Sequence, residues 1–132
     1  MNGDVLCDIS FGALLDAHRR SGAELTIATF LRVVRDELGI LERDGDNRLV
    51  AYHEKPEHEY LVSMGIYAFD PAVVGLIPPS GMDFPDLVRE LLERERPVHS
   101  YTHDGYWLDL GRPDDFARAN EEFEKLQPRL AI

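Results

Sequence analysis

Apolar positions along the chain recur at two periods, and the switches between them outline the elements. Residues 11–21 set Phe11, Leu14, Leu15 and Ala17 near helical spacing, with Ser10 placed to cap the start and Gly22 to stop the run. Residues 24–34 are rich in β-branched side chains and predict a strand through Leu25, Ile27, Thr29 and Leu31. Two short apolar segments, 39–42 and 49–53, flank Asp44-Gly45-Asp46-Asn47, a dense turn signal that predicts a β-hairpin. The most apolar stretch, 60–69, alternates and predicts a central strand. Pro71 after Asp70 suits the first turn of a short helix to about residue 76, and Pro78-Pro79-Ser80-Gly81 is a loop. Phe84, Leu87, Val88, Leu91 and Leu92 form an amphipathic stripe over residues 84–94. Short strands are expected at 97–101 and 106–108. Pro113, followed by Asp114-Asp115 near the positive end, opens a last helix to residue 126.

Helices and strands intermix without repeats or low-complexity segments, so the predicted class is α/β. At 132 residues the chain is expected to form a single domain, 1–132, burying roughly two-thirds of its unfolded surface. With 44% hydrophobic and 30% charged residues it is globular in composition rather than disordered. The net charge of −11 argues against a nucleic-acid or anionic-membrane partner, either of which would want a basic face. It leaves room for a phosphorylated small substrate, because one metal ion and one lysine reverse the sign locally. The lone Cys7 excludes an internal disulfide and fits a reducing compartment. No apolar run has the length of a membrane span, and the first residues lack a signal-peptide pattern, so a cytoplasmic location is expected.

Three motifs then follow one another: Asn2-Gly3-Asp4, Glu54-Lys55-Pro56 and Trp107-Leu108-Asp109-Leu110-Gly111. In this order they resemble the sugar-1-phosphate nucleotidyltransferases, over residues 1–124. The resemblance implies a Rossmann-like, three-layer fold with a mixed sheet and flanking helices. It also implies the reaction of a sugar-1-phosphate with a nucleoside triphosphate, giving a nucleotide-sugar and pyrophosphate. By the same resemblance Asp4 and Asp109 are the carboxylates that hold Mg²⁺. That chemistry needs a hard cation, since two anions must approach each other, and Mg²⁺ takes few protein carboxylates and completes its shell with water and phosphate oxygens. Read without the resemblance, Asp4 is a cap or turn residue ahead of the first helix and Asp109 a loop residue.

The resemblance further sets Glu54 against sugar hydroxyls and Lys55 against the sugar phosphate. Pro56 is expected to hold Lys55 extended. An isolated Glu-Lys-Pro is otherwise a solvated pair at a strand end. Gly65, within Ser63-Met64-Gly65, is expected to allow close approach of a ligand or another strand, and by resemblance it borders the sugar pocket. Many relatives carry Asn-Ala-Gly there. Ser63-Met64 departs from that and resembles some glucose-1-phosphate enzymes, so neither glucose nor mannose is singled out. Trp107 and Tyr106 are candidates for a sugar-site wall, with a core role the simpler reading for Trp107. His18, His53, His58, His99 and His103 show no metal-ligand spacing, no serine has a nucleophile-elbow context, and Glu121, Glu122 and Glu124 read as a solvated helix face.

The family's Gly-rich nucleotide loop, G-x-G-x-R with a lysine soon after, has no counterpart in this sequence. The expectation is a partial fold with the N-terminal nucleotide-binding half absent, inactive alone. The alternative is a non-catalytic sugar-phosphate-binding or assembly module. Either way the sheet is expected to have an open edge, with Val5, Leu25 and Ile27 uncovered, closed by a homodimer or a partner chain.

Overall fold

The computed structural model describes residues 1–111 and 113–130. The order is β1 (Val5–Cys7), α1 (Phe11–Ser21), β2 (Leu25–Arg35), β3 (Ile40–Arg43), β4 (Leu49–His53), β5 (Glu57–Phe69), α2 (Pro71–Val74), α3 (Phe84–Glu93), β6 (Val98–His103), β7 (Trp107–Asp109) and α4 (Pro113–Leu126), then a 3-10 turn at Gln127–Arg129. Contacts divide it into two compact units. One comprises Met1–Phe30 and the chain from Ser63 onward, the other Leu31–Val62.

Local signals set most boundaries of the larger unit. The Ser10 hydroxyl accepts from the Ala13 amide at 3.2 Å, and Gly22 ends α1 in the left-handed conformation at φ 63°. Asp70 caps α2 in the same way, accepting from Ala72 N at 2.8 Å ahead of Pro71. Three strands align in the order β5-β2-β6, with β2 and β6 parallel in the register Leu25↔Val98 through Phe30↔His103. β1 and β7 form a separate antiparallel pair. The fold is therefore α/β with both parallel and antiparallel pairing and helices packed on the strands.

Period-2 alternation divides the core in two. On one face, Ala28 of β2 and Met64, Ile66 and Ala68 of β5 pack with Ile9 and with Leu14 of α1, and β1 and β7 add Val5, Cys7 and Trp107. On the other, Leu25 packs with Val73 of α2 and with Leu87 and Leu91 of α3, flanked by Ile27, Tyr67, Phe84 and Val88. Tyr67 and Phe84 stack with ring centroids 3.6 Å apart. A layer of strands buried on both faces gives the nearly continuous apolar runs of β2 and β5.

This arrangement corrects the expectation that Val5, Leu25 and Ile27 lie uncovered. Leu25 is wholly buried, while Val5 and Ile27 are half-buried against the two core clusters. The cover comes from α2 and α3 on one side and from α1 with the β1–β7 pair on the other. A second correction concerns Leu92, which is 58% exposed. The buried stripe of α3 runs through Leu87 and Leu91, and Leu92 lies one position round the helix from Leu91.

The smaller unit is the β3–β4 hairpin with the adjoining ends of β2 and β5. The Asp44 carboxylate closes the hairpin turn, accepting from Asp46 N at 2.9 Å and Arg48 N at 3.0 Å, and Asn47 takes φ 65°. Every residue of Leu31–Val62 is exposed or half-buried. Its exposed apolar groups include Leu38, Leu41, Leu49, Val50, Tyr52 and Leu61.

Candidate active site

Asp4 and Asp109, distant in sequence, meet at one end of the β1–β7 ladder. The ladder pairs Val5 with Asp109, Leu6 with Leu108 and Cys7 with Trp107. Past its end, the Leu110 amide donates to the Asp4 carbonyl at 2.8 Å. Trp107 turns into the core, where its ring lies 5.5 Å from that of Phe30 and its Nε1 donates to the Met64 carbonyl at 3.3 Å. Asp109, two residues on, shares that face of the strand but lies beyond the core, and its side chain is exposed. The core reading of Trp107 therefore holds.

Gly111 is the floor between the two acids. Its amide donates to Asp109 Oδ1 at 2.8 Å. A Cβ placed on Gly111 would lie 3.0 Å from Asp109 Oδ1 and 4.0 Å from Asp4 Oδ2, so both carboxylates come close to this one glycine. Both carboxylates are exposed, and such a pair could hold a Mg²⁺ that keeps most of its shell for water and phosphate oxygens. No group of three or more His, Cys, Asp or Glu side chains that could hold a metal converges among the described residues. The reading of Asp4 as a cap for α1 fails, since Ser10 caps that helix.

Gly65 breaks β5 with φ 74°, and the group that approaches it is Asn2. The Asn2 amide donates to the Gly65 carbonyl at 2.8 Å, and the Asn2 side chain lies over the glycine, where a Cβ would sit 2.7 Å from Nδ2. The Gly65 amide donates to Ser63 Oγ at 3.3 Å. Gly65 thus seats the Asn2-Gly3-Asp4 turn, a use that β-strand glycines serve when backbones come close. Sequence reasoning assigned Asn2 no contact; the clue was a polar residue in the same short motif as Asp4.

Glu54 and Lys55 lie in the smaller unit, at the turn from β4 to β5, and both are exposed. The Tyr52 hydroxyl donates to Glu54 Oε2, and this hydrogen bond pushes the Tyr52 phenol above its ordinary pKa. Lys55 is not extended, as Pro56 led one to expect. It takes φ 43°, in the left-handed region. Three residues separate His53 of β4 from Glu57 of β5, and the Pro56 carbonyl is pinned by the Asp36 amide at 3.0 Å, so a tertiary contact overrides the local preference. A non-glycine residue held there stores strain of about 1–3 kcal/mol.

Three histidines pair singly with other side chains. His18 meets Thr26 at 2.8 Å, His53 meets Glu42 at 3.0 Å and His58 meets Asp36 at 3.2 Å. Tyr106 is half-buried with its hydroxyl 3.5 Å from Glu122 Oε2; burial first, then the Glu122 charge, raises its pKa. Glu122 is thereby part of a contact rather than of a wholly solvated face. No helix among the described residues is long and apolar enough to cross a membrane.

Residues 1–125 match the model of the nucleotidyl transferase family, and the chain belongs to it, among the sugar-1-phosphate nucleotidyltransferases. It is 31% identical to a mannose-1-phosphate guanyltransferase of Debaryomyces hansenii, over 88% of this chain and 33% of that one. It is 30% identical to a glucose-1-phosphate adenylyltransferase of Lachnospira eligens, over 97% of this chain and 33% of that one. The chain thus spans about a third of the length of the relatives it matches. Among solved structures, HddC from Yersinia pseudotuberculosis superposes with a TM-score of 0.62 at 21% identity, over 93% of this chain and 53% of that one. A putative glucose-1-phosphate thymidylyltransferase from Bacillus anthracis gives 0.60 at 19% identity, over 90% and 51%. These last two show a shared fold.

Proposed function

We infer that these 132 residues carry the sugar-phosphate side of a nucleotidyl transfer, in which a sugar-1-phosphate and a nucleoside triphosphate give a nucleotide-sugar and pyrophosphate. The observation that carries this reading is the convergence of Asp4 and Asp109 over Gly111 in a chain of this family. Asp4 and Asp109 would hold Mg²⁺, which when bound offsets the charge between the two phosphates. The chain's own part is positioning. Gly111 lies close to both carboxylates, and its amide fixes the Asp109 carboxylate. Asn2, seated on Gly65, fixes the turn that presents Asp4. Glu54 accepts from sugar hydroxyls and Lys55 neutralises sugar phosphate as a point charge. No covalent intermediate is required, since orientation and charge compensation suffice.

The sequence contains no Gly-rich phosphate loop, so the 132-residue chain alone is expected to release no pyrophosphate from any nucleoside triphosphate with glucose-1-phosphate or mannose-1-phosphate. Binding is the decisive measurement. Calorimetric titration should show Mg²⁺-dependent uptake of one of these sugar phosphates, with the Mg²⁺ dependence lost in Asp109→Asn and in Asp4→Asn, and affinity reduced in Lys55→Met. Uptake indifferent to all three substitutions would remove the reading. The reading also includes association of the chain, as a homodimer or with a partner chain, in a cytoplasmic protein.

A further inference from the structure

The ladder that joins Asp4 to Asp109 is short enough to need an external anchor. It holds three residue pairs, and a slip of one residue would turn Asp109 to the opposite face and away from Asp4. Pairing this brief specifies its own register weakly. At the end remote from Asp4, however, the ladder runs into Asp8. Asp8 Oδ1 accepts from the Tyr106 amide at 2.6 Å and from His103 Nε2 at 2.9 Å, while the Asp8 amide donates to the Tyr106 carbonyl at 3.1 Å. A carboxylate only accepts, so the proton lies on Nε2. Among the described ion pairs theirs is the least exposed, with His103 at 9% and Asp8 at 12%.

His103 is the last residue of β6 and stands opposite Phe30 of β2 in the three-stranded sheet. Asp8 therefore grips both the first residue before β7 and the end of a strand belonging to the main sheet. Gly105 makes the closure possible, since a Cβ there would overlap Asp8 Oδ1 and lie 2.6 Å from His103 Cε1. The turn from His103 to Tyr106 wraps around one carboxylate oxygen.

We propose that Asp8 is a positioning residue that, through His103 and the Tyr106 amide, fixes the register of β1 against β7 and so sets Asp109 beside Asp4. Its functional meaning rests on the reading of Asp4 and Asp109 as the metal pair; its structural meaning does not. The Leu110 amide, bonded to the Asp4 carbonyl at the far end of the ladder, reports the register directly.

The test is amide hydrogen exchange by NMR on the full 132-residue chain, in the wild type, Asp8→Ala and Asp8→Asn, with Mn²⁺ titration alongside. Loss of two charge-assisted hydrogen bonds in Asp8→Ala should cut protection at Leu110 at least about tenfold, while amides of the β2–β6 ladder keep theirs. Asp8→Asn, which retains an acceptor oxygen, should hold Leu110 within about threefold of wild type. Mn²⁺ affinity should fall with Leu110 protection and return in Asp8→Asn. Unchanged Leu110 protection in Asp8→Ala overturns the proposal, as does an equal loss across β2–β6, which would make Asp8 a general stabiliser. A loss in Asp8→Asn as large as in Asp8→Ala also overturns it. If the wild type takes no Mn²⁺ while Leu110 responds as stated, the register anchor stands and the metal reading falls.

Discussion

Replacing Gly65 by alanine tests how the Asp4 turn is seated. The backbone at Gly65 has φ 74°, where an L side chain costs about 1–2 kcal/mol. The new Cβ would also sit 2.7 Å from Asn2 Nδ2, 2.9 Å from Cγ and 3.2 Å from Cβ. Rotating the amide end of Asn2 relieves the first two approaches but not the third, and Asn2 is tethered because its own amide donates to the Gly65 carbonyl at 2.8 Å. Overpacking of this kind adds about 1 kcal/mol or more. Against this, alanine restricts the unfolded chain and returns about 0.4–1 kcal/mol. The net expectation is a loss of about 2 kcal/mol, a large share of the stability of a domain this size, lowering Tm by roughly 6–10 °C. Urea unfolding followed by circular dichroism gives the midpoint and slope together; the midpoint should fall while the slope stays constant. Adding Asn2→Gly should recover the steric share and leave the backbone share. A Gly65→Ala chain as stable as wild type would mean that Asn2 does not rest on this glycine and that the turn carrying Asp4 is held some other way.

Three other outcomes follow from the same structure. Lys55→Gly should stabilise the chain by about 0.5–1 kcal/mol, because glycine relieves the left-handed strain by more than its own entropy costs, while sugar-phosphate uptake weakens; a destabilised variant in urea would show that Lys55 is unstrained. Tyr106 titrates above its ordinary value because the folded state favours the neutral phenol, so its contribution to stability is complete below about pH 10 and is lost as pH rises through the raised folded pKa. A phenolate difference spectrum between wild type and Tyr106→Phe with its midpoint at or below the ordinary value would contradict that. Light scattering at low micromolar concentration should find a dimer or larger, given Leu38 at 75% and Leu49 at 66% exposure; Leu49→Asp should shift it to monomer, and a monomeric wild type ends the association reading.

What the sequence shows, and what it hides, divides by the range of the interaction responsible. Ser10 and Gly22 bound α1, Asp70-Pro71 opens α2 and Asp44 closes the hairpin, because each acts on backbone groups within four residues and the residue type is itself the mechanism. The burial of Leu25 was illegible, because its cover comes from α2 and α3, which the chain reaches only after the hairpin and β5. Lys55 went wrong for the converse reason: a sound local rule about the residue before proline lost to a turn pinned by Asp36. The pairing of Asp4 with Asp109 entered through family likeness, since nothing in their spacing brings them together. The contact between Asp8 and His103, 95 residues apart, had neither a local rule nor a motif to announce it.

That difference bears on how the site is built. The acids sit at one end of a three-pair ladder, and the grips on that ladder come from other residues: Asn2 on Gly65, Trp107 on the Met64 carbonyl, and Asp8 on His103 and Tyr106. Two of these three attach the ladder to β5 and the third attaches it to β6, so the strands of the main sheet, rather than the β1–β7 pair, define where the carboxylates stand. Among the described residues no third acid or histidine joins the pair in a group that could hold a metal, so its geometry is imposed from the core outward. Substitutions at these three grips should therefore alter the separation of Asp4 and Asp109 without touching either residue.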